Sequence, residues 1–307
     1  MDKIGLARKV AKKVTLKKFK NLKIMKLIKD LYLEHIRSVK ENGKDERAVS
    51  LNEKLGTDFN PKSKYFLFNG NPKAKTVFVM LNPGTDKDNE MFSTKAFKDK
   101  SAKDIVEEII KSNEEYAITD YDRLDNFDTK QSAFFNDWEN TGIDIIKNFW
   151  ETDKKENPEV WKDAKRNVLK DKLQLELIPY GSRKFAGLFN SQKLADKNVP
   201  HILEYVENLF KIITEHERNI VLFGSKQFYY IFKALKKLGW NVDILHNEVK
   251  FEIEGLKNKA TFSVFEIEYN NKKIKAGIAH TFPNQSLPNA YKQMSLYGKK
   301  CFEIYNK

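Results

Sequence analysis

Asn82, Tyr180, Ser182, Ser225 and His280 each stand at or just beyond the end of a run of apolar, β-favouring residues. An amide, a phenol, two hydroxyls and an imidazole hold and orient partners by hydrogen bonds. No other catalytic set is complete. The chain has no Walker loop, no Gly-x-Gly-x-x-Gly after a strand and no Gly-x-Ser-x-Gly elbow, which sets aside phosphate-cradling NTPases, dinucleotide enzymes and α/β-hydrolases. Its one cysteine, Cys301, excludes an internal disulfide and every four-cysteine metal site, and fits a reducing compartment.

Two of the five residues open longer motifs. Val79-Met80-Leu81-Asn82-Pro83-Gly84 resembles the first motif of the uracil-DNA glycosylase superfamily, in the Asn-Pro-Gly form of its mismatch-specific members. His280-Thr281-Phe282-Pro283-Asn284-Gln285-Ser286 resembles the second, which introduces the loop that probes the minor groove. The resemblance spans roughly residues 60–305. It implies an enzyme that flips a nucleotide out of double-stranded DNA and hydrolyses the N-glycosidic bond of an altered or modified base, in repair or in defence against foreign DNA.

On that resemblance Asn82 orients the water and His280 supports the departing anionic base. An amide cannot take the water's proton as a carboxylate would, so a slower or more selective enzyme follows. Pro83, Gly84, Phe92 and Tyr180 are expected around the base. Leu287 is the expected apolar wedge, with Asn284 and Ser286 in the same DNA-facing loop. Ser182 and Arg183 either hold phosphate or cap the next helix. Phe282 departs from the pattern, since the family often has a small hydroxyl residue there. No lysine stands out as a Schiff-base nucleophile, so the expected activity is monofunctional and needs no metal or cofactor.

These residues need a scaffold that gathers strand ends. Thr76–Leu81, Leu173–Ile178 and Asn219–Phe223 read as strands buried on both faces, 241–279 as short alternating strands with a hairpin at Asn270-Asn271, and Pro288 to about Tyr305 as a helix. Strands alternating with helices predict an α/β fold: a three-layer sandwich around a central, mostly parallel sheet, with ligands bound beyond the strands' carboxyl ends. Residues 85–174 are expected to supply helices covering a sheet face plus one long loop.

The formal charge is +13, and residues 1–29 hold eleven Lys/Arg against one acid. The expected organisation is a basic helical extension over 1–45 and an α/β domain over 46–307. Ile24, Leu27, Ile28 and Leu31 dock a helix on the body, and Lys12, Lys13, Lys17 and Lys18 sit in a looser arm that binds DNA phosphates. The sequence lacks an apolar run of membrane-spanning length and a signal peptide, so a cytoplasmic, monomeric protein without a membrane partner is expected.

Two other readings stay open. One is a non-catalytic nucleic-acid-binding module on the same fold. The other is a metal-dependent nuclease using Glu266 and Glu268 with Lys272, Lys273 and Lys275, although alternating charges on an edge strand explain the same residues.

Overall fold

A computed structural model describes residues 25–81, 95–115, 126–182, 184–256, 258–280 and 290–307. Seven strands form one sheet: β1 (Phe68–Gly70), β2 (Thr76–Met80), β3 (Lys172–Glu176), β4 (Ile220–Phe223), β5 (Val242–Phe251), β6 (Ala260–Tyr269) and β7 (Lys272–Ala279), in the spatial order β1-β3-β2-β4-β7-β6-β5. The centre, β3-β2-β4-β7, is parallel. β1 runs antiparallel to β3, and β7, β6 and β5 form an antiparallel meander. The sheet is therefore mixed, with as many antiparallel as parallel pairings among the described residues, and the expectation of a mostly parallel sheet holds only at its centre.

Alternation along the strands builds two cores. Val77, Val79, Leu173, Leu175, Val221, Phe223, Ala276 and Ile278 face one side; Phe78, Met80, Ile220, Leu222, Phe262, Val264 and Ala279 face the other. On the first side pack the helix over 25–42 and helices Glu46–Leu55, Ala102–Glu114, Leu203–Glu215 and Lys226–Lys237. Helices Pro158–Asp171 and Tyr291–Tyr305 cover the second side. Asn126–Phe134 packs against both of these helices there. The segment expected to cover one face thus supplies helices to both.

The helix over 25–42 buries Ile28, Leu31, Tyr32 and Ile36 in the first core. The Tyr32 hydroxyl accepts hydrogen bonds from Asn113 Nδ2 at 2.9 Å and from the Leu67 amide at 3.2 Å. The basic helix therefore docks on the body, as its periodicity predicts.

Local chemistry explains the turns. Asn270 and Asn271 both take positive φ, 51° and 59°, which the two-residue β6–β7 hairpin demands and which asparagine tolerates. Helix Tyr291–Tyr305 approaches helix Asn126–Phe134 so closely that a Cβ on Gly298 would lie 1.8 Å from the Phe134 carbonyl oxygen. Backbone cannot yield as a side chain can. Gly298→Ala should lower stability by about 2–3 kcal/mol in urea denaturation, from overpacking. Gly187→Ala, where a Cβ meets nothing within 4 Å, should stay within about 0.5 kcal/mol of the parent.

Candidate functional site

The chain runs from β2 to β3 on one side, then crosses back to β4 and β7 on the other. This places the topological switch point between β2 and β4, where open α/β sheets bind ligands beyond the strand ends. Backbone hydrogen bonds tie the ends together. Leu177 and Ile178 amides donate to the Met80 and Leu81 carbonyls at 2.8 and 3.0 Å, Gly224 N donates to Val79 O at 2.9 Å, and Lys226 N donates to His280 O at 3.2 Å. Gly224 permits close packing: a Cβ there would meet Met80 Sδ at 2.7 Å.

His280 follows β7 directly and is 6% exposed. Its Nε2 lies 2.9 Å from Ser263 Oγ, which also accepts the Glu248 amide proton at 3.0 Å. The Glu248 amide occupies one lone pair of Ser263, and Ser263 in turn fixes the position of the imidazole through Nε2. Burial lowers the His280 pKa to about 4, with Glu248 pulling it up and Lys226 pushing it down. The ring is neutral at physiological pH and carries one N–H donor. Tyr229 packs beside it, ring centroids 5.5 Å apart.

Glu248 is held unusually. Its φ is 41°, rare for a residue with a side chain, and it sits within the register shift between His246 and Val249 of β5. The bulge turns its amide toward Ser263 and leaves its carboxylate 3.7 Å from Lys226 Nζ. Sequence patterning gives no sign of this second layer, because a bulge breaks the alternation that would reveal it.

Two expected residues have other tasks. Tyr180 is fully buried; its hydroxyl donates to Asp45 Oδ2 at 2.7 Å and its ring packs among His35, Phe59, Tyr65 and Tyr205. It pins the N-terminal helices to β3 instead of presenting a wall to a ligand. It also follows β3, three strands from β7, or roughly 14 Å by ordinary strand spacing. Ser182 donates to Asp58 Oδ1 and accepts from the Lys184 amide at 3.1 Å. That is a turn-capping role beside a carboxylate, which disfavours phosphate. Asn82, Pro83, Gly84, Phe92, Arg183, Asn284, Ser286, Leu287, Lys12, Lys13, Lys17 and Lys18 lie outside the described residues.

The charges of the nuclease reading are paired across the hairpin. Glu266 stands opposite Lys275 and Glu268 opposite Lys273, and Lys273 Nζ is 2.6 Å from Glu266 Oε1. At the amino edge a cavity of about 440 Å³ is lined by Arg218, Lys272 and Lys275. The Arg218 guanidinium is taken up by the carbonyls of Pro72, Ala74 and Ile213, so it braces loops there.

One feature of β3 escaped the sequence reading. Lys172, Gln174 and Glu176 alternate with Leu173 and Leu175, so one face of a buried strand is polar. Lys172 Nζ donates to Gln131 Oε1 and, at 2.9 Å, to Gln174 Oε1; Gln174 Nε2 donates to Glu176 Oε1 at 3.1 Å. Among the described residues Glu176 Oε2 is buried without a hydrogen-bond partner. The period-two polar residues inside Lys172–Glu176 were the available signal.

Family models, curated proteins and solved structures offer no match to this chain. Among the described residues no helix is long and apolar enough to cross a membrane.

Proposed function

We propose that this protein binds double-stranded DNA, takes one nucleotide out of the stack and hydrolyses its N-glycosidic bond, in the manner of a monofunctional DNA glycosylase. The observation that carries the reading is His280: a neutral, buried imidazole anchored through Nε2 by Ser263 at the carboxyl end of β7. β7 lies two strands from β2, after whose last described residue Asn82 follows in sequence. Two strand spacings, about 10 Å, suit a nucleoside held between the two ends.

In this reading Asn82 holds a water against the sugar carbon. The C1′–N bond breaks with its electron pair leaving on the base while His280 donates a hydrogen bond to that anion; the water oxygen bonds to C1′, and the proton it loses ends on the departed base, which leaves neutral. A neutral donor suits that task, since it stabilises the anion without first needing to be charged. Pro83, Gly84 and Phe92 would surround the base, and Asn284, Ser286 and Leu287 would engage the duplex.

Incubation with duplexes bearing a broad panel of altered bases, followed by alkali, should break the strand at the excised position without added metal. DNA binding without release of any base, modified pyrimidines included, would favour the non-catalytic binding module. The amide at 82 and Phe282 motivate that second reading.

The arm makes a separate prediction. With eleven Lys/Arg in residues 1–29, removal of residues 1–20 should weaken DNA binding and flatten its salt dependence, because the slope follows the number of phosphates neutralised. An unchanged slope would show that the arm serves another partner.

A further inference from the structure

We propose that Glu176 is the floor of a binding subsite at the carboxyl edge of the sheet, and that it accepts a hydrogen bond from the exocyclic amine of a nucleobase. The inference deepens the reading of this edge as a base-binding site and rests on it.

Glu176 is the last residue of β3, in register with Met80 at the end of β2, beside the switch point. Two donor–acceptor contacts lead to it: Lys172 gives a proton to Gln174, and Gln174 gives one to Glu176 Oε1. A branch leads away from Lys172 to Gln131 and on to Asp128 at 3.4 Å. The row ends on an oxygen, Oε2, that has no donor to accept from among the described residues. Buried polar atoms are almost always paired, so an orphan at a strand end marks a place for a missing partner.

The chemistry selects the partner. Burial raises the Glu176 pKa to about 8, while Gln174 and Lys172 pull it down; burial lowers Lys172 to about 8. Burial alone drives the rise, and no acidic neighbour contributes to it. The groups that act on the carboxyl are Gln174 and Lys172 on its own strand, with Gln131 and Asp128 of helix Asn126–Phe134 reached through Lys172; β2 contributes the uncharged Phe78 and Met80 beside it. A ligand N–H placed on Oε2 would favour the carboxylate and complete a row running from ammonium to carboxylate to ligand. A ligand carbonyl would instead keep the acid protonated and leave the buried Lys172 charge without that counter-charge. An amide side chain would read a carbonyl as well. An acid adds the capacity to ionise, which only a donor on the ligand rewards.

Titration calorimetry of the full chain with deoxycytidine, deoxyadenosine, thymidine and deoxyuridine at pH 6.5, in two buffers of different ionisation enthalpy, tests this. The amino-bearing nucleosides should bind roughly tenfold or more tightly than thymidine and deoxyuridine, and their binding should release a proton, since Glu176 passes from acid to carboxylate. Glu176→Gln, which keeps the shape and the Gln174 bond, should abolish the proton release and the preference while retaining the parent melting temperature to within a few degrees. Preference for thymidine or deoxyuridine, proton release that persists in E176Q, or no nucleoside binding at millimolar concentration would overturn the subsite. Absence of base excision on the duplex panel with amino-selective nucleoside binding intact would remove the glycosylase reading alone.

Discussion

Asn82→Ala and His280→Ala should each slow base release from a susceptible duplex by roughly 10²-fold or more while DNA affinity changes little. On the proposed reading both groups would act on charge that appears only as the glycosidic bond breaks: Asn82 on the water, His280 on the departing base. Removing either leaves ground-state contacts with the duplex in place, so single-turnover rates should fall while binding isotherms overlay. His280 is held by Ser263, itself fixed by the Glu248 amide. Retained excision per bound complex with weakened binding would assign both residues to DNA recognition instead.

Asp45→Ala should cost about 3–5 kcal/mol of stability, the range for removing one partner of a buried ion pair. The carboxylate is 1% exposed and receives His35 Nδ1 and Tyr180 OH at 2.7 Å and Arg47 NH2 at 2.9 Å on Oδ2, and the Arg47 amide and Nε at 2.9 and 3.2 Å on Oδ1. It is also the N-cap of helix Glu46–Leu55. Alanine would strand five donors at once. The pH dependence follows the sign of the shift. Burial opposes ionisation, but the hydrogen bonds and charges of His35 and Arg47 outweigh it and hold the Asp45 carboxyl well below the usual carboxylate range. The stability it contributes is complete above the unfolded-state value near 4 and is lost as pH falls toward the folded value. Acid titration of the parent, followed by tryptophan fluorescence or circular dichroism, should show that loss below pH 4, and D45A should lack this part of it. Parent-like stability in D45A would show that the cluster only fills space.

Much of the fold was legible because its signals are local. Thr-Val-Phe-Val-Met over 76–80 has no polar side to expose, and the structure buries all five residues. Asn270-Asn271 announces a hairpin by backbone preference alone. The antiparallel pairing of β1 with β3 was not legible, because strand direction depends on which segments meet. Tyr180 shows the same limit at the site. Its place after a strand suggested a pocket wall, yet its partner is Asp45, 135 residues away in the chain. Glu176 lay in plain view inside an apolar block, and its meaning appears only when Lys172 and Gln174 are seen to point the same way. His280 was legible as a strand-end imidazole. Its anchoring was not, because Ser263 and Glu248 come from two other strands.

The order of the parallel strands also governs how the chain can assemble as it is made. Thr76 pairs with both Lys172 and Ile220, and Leu222 pairs with Gly277, so no two neighbours at the centre of the sheet are close in the chain. Non-local pairing of this kind folds slowly, since loop closure must be achieved before any contact rewards it. β2 emerges from the ribosome early with both edges and both apolar faces unsatisfied, and β4 keeps one edge open until β7 follows. A chain stopped before β7 would hold an incomplete sheet with exposed strand edges, the condition under which nascent chains aggregate or need a chaperone.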